Sequence, residues 1–128
     1  MSIKRTAVPT AVVRNAELFE LHEIKEFATD DLVRTKLFKS SQLWAEIACY
    51  EPGQATVLHH HPYEEEAIYV VEGTANMEVD GEEVVVPEGG IVRFPPGAKH
   101  DVRNLKGSRL VIMFMKIPTR LAKLATER

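Results

Sequence analysis

The sequence predicts an all-β domain in which antiparallel strands form a sandwich or a barrel. From residue 32 onward, short apolar segments alternate with turn residues, and the turns recur about every ten residues. The dipeptide Asp80-Gly81, between two apolar runs, is the strongest hairpin signal in the chain. A length of 128 residues and a mass of 14.4 kDa suit a single domain of this kind.

The strands follow one another with recognisable turns between them. The predicted strands are, in chain order, 32–38, 42–50, 55–61, 67–71, 75–79, 82–86, 89–94, 100–104 and 109–117. Lys39-Ser40-Ser41 joins the first two as a hairpin, and Glu51-Pro52-Gly53 and Pro95-Pro96-Gly97 supply further turns. Strand 67–71 is apolar on both faces, so we expect it to be covered on both sides.

Both ends of the chain depart from this pattern of short strands and turns. Residues 1–31 form an N-terminal segment, which we expect to be an edge strand or a dimer arm, and residues 32–117 hold the barrel. Within 16–28, apolar residues recur every three positions as in a helix, although residues 18–21 also suit an edge strand. Pro118 suits the first position of a C-terminal helix over 118–128, with an apolar and a basic face.

Composition excludes several classes of function. A net charge of −3 and a pI near 6.0 argue against a nucleic-acid-binding surface. The single cysteine, Cys49, excludes an internal disulfide and agrees with a reducing compartment. No apolar run approaches the roughly 18 residues of a membrane helix, and the start MSIKRTAVPT lacks the apolar stretch of a secretory signal. A cytoplasmic location is therefore expected.

Charge is unevenly distributed along the chain. Residues 41–92 contain eleven acids and no lysine or arginine, whereas basic residues dominate from Arg93 onward. The favoured interpretation is that acidic and basic strands pair across the sheet. The alternative is a basic rim of Arg93, Lys99 and Arg103 that attracts an anionic ligand.

The histidines are the main candidates for metal ligands in the sequence. His59 and His61 point to one face of a strand, because side chains two residues apart share a face, and His60 points away. Glu66 would add an oxygen ligand and His100 a third nitrogen, which together suit iron, manganese, nickel, copper or zinc. An exposed histidine cluster and a hydrogen-bonded core histidine are the alternatives. Cysteine is absent from the set, which favours a site with open positions over a closed structural zinc site.

The spacing of ten residues resembles the two motifs of the cupin superfamily. The first motif would be Gly53-x5-His59-x-His61-x4-Glu66-x6-Gly73, and the second, fifteen residues later, Gly89-x5-Pro95-x-Gly97-x2-His100-x3-Asn104. The resemblance implies a double-stranded antiparallel β-barrel of jelly-roll type. It also implies one divalent transition metal per chain, held by His59, His61, Glu66 and His100.

The other motif positions have scaffold roles. Gly53 and Gly73 lie at strand ends where φ is expected to be positive, and Asn104 is expected to close a turn with its side chain. Glu64 and Glu65 compete with Glu66 as the carboxylate ligand, and the motif spacing favours Glu66.

The resemblance leaves several functions open, because cupins include dioxygenases, isomerases, decarboxylases, lyases and proteins without a known reaction. The first hypothesis is a metal-dependent, dioxygenase-like enzyme that acts on a small organic acid or an aromatic or hydroxylated molecule. The alternatives are a non-catalytic protein that binds or senses a small molecule, and a metal-dependent isomerase or lyase. Candidates for a catalytic base are Tyr50, Tyr63, Glu64 and Glu65.

The strand faces predict the cavity wall and an outer apolar surface. In the last strand we expect Met113 and Met115, rather than Phe114, to face the metal, within an apolar wall suited to an oxygen-bearing ligand with a hydrophobic body. Outward-facing residues of strand 67–71, such as Tyr69, require a cover. Residues before Leu32 or a second copy of the chain would provide it, and a homodimer is favoured.

Overall fold

The structure is a computed structural model that describes residues 2–57 and 64–117. Its elements, in chain order, are β1 (Ile3–Thr6), β2 (Ala11–Val13), β3 (Ala16–Leu18), α1 (Leu21–Ile24), β4 (Val33–Lys39), β5 (Trp44–Tyr50), β6 (Glu66–Glu72), β7 (Thr74–Val79), β8 (Glu82–Pro87), β9 (Ile91–Phe94), β10 (His100–Arg103) and β11 (Leu110–Lys116). No helix among these residues is long and apolar enough to cross a membrane.

Two sheets pack face to face and confirm the predicted all-β jelly-roll fold. The large sheet has the strand order β1-β4-β5-β11-β6-β9, and the small sheet has the order β10-β7-β8. All pairs within them are antiparallel except that of β1 and β4. Strands β2 and β3 form a separate hairpin.

The two predicted hairpins are present. Strands β4 and β5 are connected through Ser40, whose backbone N–H donates to the carbonyl of Leu43 at 2.8 Å. Strands β7 and β8 turn at Asp80 and Gly81, which have φ values of 48° and 87°. Positive φ at both central residues matches the right-handed twist of paired strands, which explains why Asp-Gly predicts this turn.

The large sheet has an inner and an outer apolar layer. The inner layer fills the space between the two sheets, with Ile68 and Ile112 from the large sheet facing Met77 and Val102 from the small one. The outer layer lies on the opposite face. It combines Ile47, Cys49, Val71 and Val111 with residues of the N-terminal segment, namely Phe19, Leu21, Ile24 and Phe27.

The alternation of β11 corrects one prediction. Met113 and Met115 pack in the outer layer against the N-terminal segment, while Ile112 and Phe114 belong to the inner layer. The expectation that the two methionines face the metal is therefore wrong. Alternation assigns two faces to a strand, but both faces of β11 are apolar, so the sequence does not distinguish the inner one.

The N-terminal segment combines the two structures that its sequence suggested. Strand β1 forms the edge of the large sheet, and the ambiguous stretch 16–28 divides into strand β3 and the single turn α1. The segment also covers part of the outward face of β6, since Phe19 and Val71 share the outer layer. The C-terminal helix predicted over 118–128 lies outside the described residues.

Candidate metal centre

A cavity of about 740 Å³ opens on the inner face of the large sheet. Its wall includes inward-facing residues of β1, β4, β5, β6 and β11 and reaches His100 of the small sheet. Ile112, Phe114, Ala48 and Ile68 supply apolar surface. Ligand sites are commonly concave and combine apolar surface with convergent polar groups, and this cavity contains both.

Glu66 and His100 meet in the wall of this cavity. Glu66 begins β6, where alternation turns Glu66, Ile68 and Val70 inward as the sequence predicts. His100 begins β10, directly after the Pro95-Pro96-Gly97 turn. The Nε2 atom of His100 lies 2.7 Å from Oε1 of Glu66, and the two residues are only 3% and 7% exposed.

The second ring nitrogen of His100 defines which lone pair is available. Nδ1 lies 3.1 Å from the carbonyl oxygen of Ala98, and a carbonyl can only accept, so Nδ1 carries a proton and donates it. In the neutral ring, Nε2 then has a lone pair directed toward the carboxylate of Glu66. Two electron-rich atoms at this distance require a cation between or beside them, either a proton or a metal ion. Metal-binding histidines typically donate their other N–H to a carbonyl in this way.

Burial and the carboxylate act on His100 in opposite directions. Desolvation disfavours the imidazolium, but the hydrogen bond and negative charge of Glu66 outweigh it and raise the pKa of His100 above its ordinary value. Phe94 stacks on the imidazole with ring centroids 4.1 Å apart and so restricts its rotation. The side chain is thus fixed in position by a hydrogen bond at one edge and an aromatic ring on one face.

The remaining predicted ligands cannot be placed. His59 and His61, together with His60 and the candidate base Tyr63, lie outside the described residues. Within 2–57 and 64–117, no three histidine, cysteine or acidic side chains converge as a metal cluster. The donor set of Glu66 and His100 fits a divalent transition metal, because it pairs a carboxylate oxygen with an imidazole nitrogen whose tautomer is fixed.

The three competing acids occupy different environments. Glu65 forms an ion pair with Arg93 and lies outside the cavity, so it is not brought near His100. Glu64 is buried, with Oε2 3.7 Å from Nζ of Lys116. Glu66 is the acid that lines the cavity and contacts His100.

Tyr50 also lines the cavity, but its hydroxyl group is engaged. The Oη atom lies 2.5 Å from Oγ1 of Thr56, and burial raises the pKa of the Tyr50 phenol well above its ordinary value. A phenol held in its neutral form can donate a hydrogen bond but is a poor source of phenolate. A catalytic role for Tyr50 stays a prediction.

Arg93 and Arg103, in the C-terminal half, form ion pairs with acids of other segments, as the favoured interpretation of the charge pattern predicts. Arg93 pairs with Glu65, and Arg103 has its Nη2 atom 3.2 Å from Oε1 of Glu83. Arg93, Lys99 and Arg103 do not line this cavity. The alternative, a basic rim of these three residues that attracts an anionic ligand, stays a prediction.

A different set of cations lines the cavity, and sequence reasoning missed it. Arg34 and Lys36 of β4 face inward, together with Lys4 of β1, Lys39 at the end of β4 and Lys116 of β11. The sequence pattern that corresponds to this cationic face is the alternation of basic residues with Val, Thr and Leu over 33–37. A polar face normally indicates solvent, so the pattern alone does not predict that this face turns toward a cavity.

The fold and the motif residues place the chain in a known family. Residues 46–116 match the family model described as Cupin domain. The chain belongs to the cupin family, whose members commonly bind a metal. The matched region begins within β5 and ends with the last residue of β11, so it contains both Glu66 and His100.

Individual relatives and structures agree with this assignment. The chain is 29% identical to the uncharacterized protein MJ1618 of Methanocaldococcus jannaschii over 105 residues, which are 77% of this chain and 84% of that protein. It is 32% identical to polyketide synthase CurC of Streptomyces cyaneus over 72 residues, covering 56% of this chain and 47% of that protein. The crystal structure of TT1209 from Thermus thermophilus superimposes with a TM-score of 0.77 at 25% identity, covering 80% of this chain and 98% of that one.

Proposed function

We propose that this protein is a metal-dependent cupin enzyme that oxygenates a small organic acid. The observation that carries the proposal is the contact between Nε2 of His100 and Oε1 of Glu66 in the cavity wall. The proposed ligand set is His59, His61, Glu66 and His100, and the metal is a divalent transition ion. When bound, such a metal would activate dioxygen or polarise substrate oxygens in its open coordination positions.

The protein residues at this site have positioning roles. Glu66 contributes the anionic oxygen, which favours a cation over a neutral ligand at this end of the cavity. Ala98 accepts the Nδ1 proton of His100, so that the Nε2 lone pair remains available. The stacked ring of Phe94 holds the imidazole of His100 in position, and Ile68 adds apolar surface to the same cavity wall.

The substrate class is supported by the wall and by one relative. Phe114 and Ile112 offer an apolar surface beside the cationic side chains, which suits an acid with an unsaturated body. The Streptomyces cyaneus relative is named a polyketide synthase, which supports an organic substrate rather than an inorganic ion.

The proposal can be tested by measuring dioxygen uptake. Protein loaded with iron(II), manganese, nickel, copper or zinc would be screened with small aromatic and aliphatic hydroxy acids in an oxygen electrode. We expect uptake with at least one redox-active metal, and its loss in His100→Ala. A product formed without oxygen consumption would support the isomerase or lyase alternative, and metal binding without turnover of any acid would support the binding protein.

A further inference from the structure

The cavity has a cationic wall beside the metal centre. A row of directly paired residues crosses four adjacent strands of the large sheet: Glu66 of β6, Lys116 of β11, Trp44 of β5 and Lys39 of β4. Neighbouring strands are about 4.8 Å apart, so Lys116 lies one strand from the proposed metal ligand and Trp44 lies about 10 Å from it.

Two ammonium groups lie against the ring of Trp44. Nζ of Lys39 and Nζ of Lys116 are each 4.1 Å from the centroid of that ring. Lys116 is only 9% exposed, and its ion pair with Glu64 is long, at 3.7 Å. The indole Nε1 of Trp44 is buried and has no hydrogen-bond acceptor among the described residues. Two cationic groups therefore flank one aromatic ring at this end of the cavity.

A second row of inward residues extends the same wall. Phe114 of β11, Glu46 of β5 and Lys36 of β4 are paired across adjacent strands. The guanidinium of Arg34 lies over the ring of Phe114, 5.2 Å from its centroid. Glu46 neutralises Arg34, but Lys36 and Lys39 form no ion pair with a carboxylate of the described residues.

Cationic side chains outnumber acidic ones in the cavity wall. Among the described residues, six cationic side chains line it, namely Lys4, Arg5, Arg34, Lys36, Lys39 and Lys116. Three carboxylates oppose them, those of Asp31, Glu46 and Glu66. A concave wall with excess positive charge and low-dielectric surroundings concentrates the field and attracts anions.

We infer that this wall is an anion subsite that binds the carboxylate of a small organic acid. The carboxylate would lie beside the ammonium groups of Lys36 and Lys116, with the body of the acid toward the apolar surface of Ile68 and Ile112. This inference rests on the proposed function in taking the cavity as the substrate site, and it names the substrate class. An acid anchored one strand from Glu66 would present its neighbouring atoms to the metal centre.

Trp44 allows a direct test, because it is the single tryptophan of the chain. Metal-free protein would be titrated with benzoate and with its neutral counterpart benzamide, while the indole fluorescence is recorded. We expect a saturable change with benzoate and affinity at least about tenfold weaker for benzamide, because a lost charged hydrogen bond exceeds about 1.4 kcal/mol. Equal affinity for the two compounds, or no saturable change with benzoate, would overturn the subsite.

Variants separate this site from the metal centre. Lys116→Met should weaken benzoate binding about tenfold or more, whereas Lys106→Met, at an exposed position outside the cavity, should leave it unchanged. His100→Ala should abolish metal binding but retain benzoate binding, so the subsite and the proposed metal function can fail independently. Unchanged binding in Lys116→Met would contradict the assignment.

A second measurement needs no ligand and covers the case in which Lys116→Met does not fold. Iodide and caesium ions quench indole fluorescence by collision, and they carry opposite charges. Each quenching constant is divided by that of free N-acetyltryptophanamide, because iodide quenches free indole more efficiently than caesium does. We expect the normalised constant to be larger for iodide than for caesium in the native protein, and the difference to be smaller in Lys36→Gln. Equal normalised constants would show that the wall around Trp44 is not electropositive and would overturn the inference.

Discussion

The proton shared by His100 and Glu66 makes the metal-free protein sensitive to pH. Because Glu66 raises the pKa of His100 in the folded state, the folded protein binds this proton more tightly than the unfolded chain. The contribution of the pair to stability is therefore fully present below the unfolded pKa near ~6.5, and it is lost as the pH rises through the raised folded value.

This behaviour can be measured by thermal unfolding of protein treated with a chelator. Between pH 6 and pH 8, the native protein should lose more stability than His100→Gln, which lacks the titrating group. The difference between the two slopes isolates His100 from the other histidines. A slope in His100→Gln as steep as that of the native protein would mean that His100 does not titrate as its contact with Glu66 requires.

Gly73, which lies between β6 and β7, is in a position where a larger residue would clash with the backbone. Gly53 is not. Gly73 and Gly53 have φ values of 84° and 89°. A Cβ atom at Gly73 would lie 2.2 Å from the carbonyl oxygen of Arg109, whereas a Cβ at Gly53 would meet no atom within 4 Å. The backbone of Arg109 cannot move away easily, because Leu110 begins β11 in the centre of the large sheet.

The two alanine variants should therefore differ in stability. Gly53→Ala should cost about 1 kcal/mol, the strain of a positive φ in an ordinary residue. Gly73→Ala should cost about 3 kcal/mol or more, because overpacking against the backbone adds to that strain. Urea unfolding of both variants would measure this difference. Equal losses would show that the close approach of Arg109 is not rigid.

The sequence predicted those elements whose signals are local. Asp80-Gly81 specifies its own backbone conformation, and Asn104 closes a turn by donating from Nδ2 to the carbonyls of Ser108 and Tyr50, at 2.8 and 3.2 Å. The orientation of Glu66 also followed, because only one face of its strand carries a carboxylate spaced for the motif. For β11 and β4, the inner face is the one that turns toward the small sheet. This depends on tertiary packing, so the sequence of either strand alone does not predict it.

The β2–β3 hairpin exposes apolar side chains that a second copy of the chain could cover. Val12, Val13 and Leu18 are 60%, 66% and 48% exposed. An isolated two-stranded hairpin is at best marginally stable in water, so further burial is expected to hold it in place. The predicted role of residues 1–31 as a dimer arm would provide that burial through a second copy of the chain.

Sedimentation at micromolar concentration should accordingly give a species of twice the 14.4 kDa chain mass. Val13→Glu should weaken this dimer, because it places a charge among apolar side chains that the partner would cover. Val85→Glu is the matched control, since Val85 is 58% exposed on β8 and outside the hairpin. A native protein that sediments with a single chain mass would exclude the dimer arm.

We propose that Glu66 and His100 hold a divalent metal in the cavity of this cupin. Metal content after equilibrium dialysis tests it most directly, with native protein compared with Glu66→Gln, His100→Ala and Glu65→Gln. We expect close to one metal per chain in the native protein and in Glu65→Gln, whose side chain lies outside the cavity. Loss of an oriented ligand should reduce affinity by at least about ten- to a hundredfold in Glu66→Gln and His100→Ala. Equal metal content in all four proteins would show that Glu66 and His100 are not metal ligands.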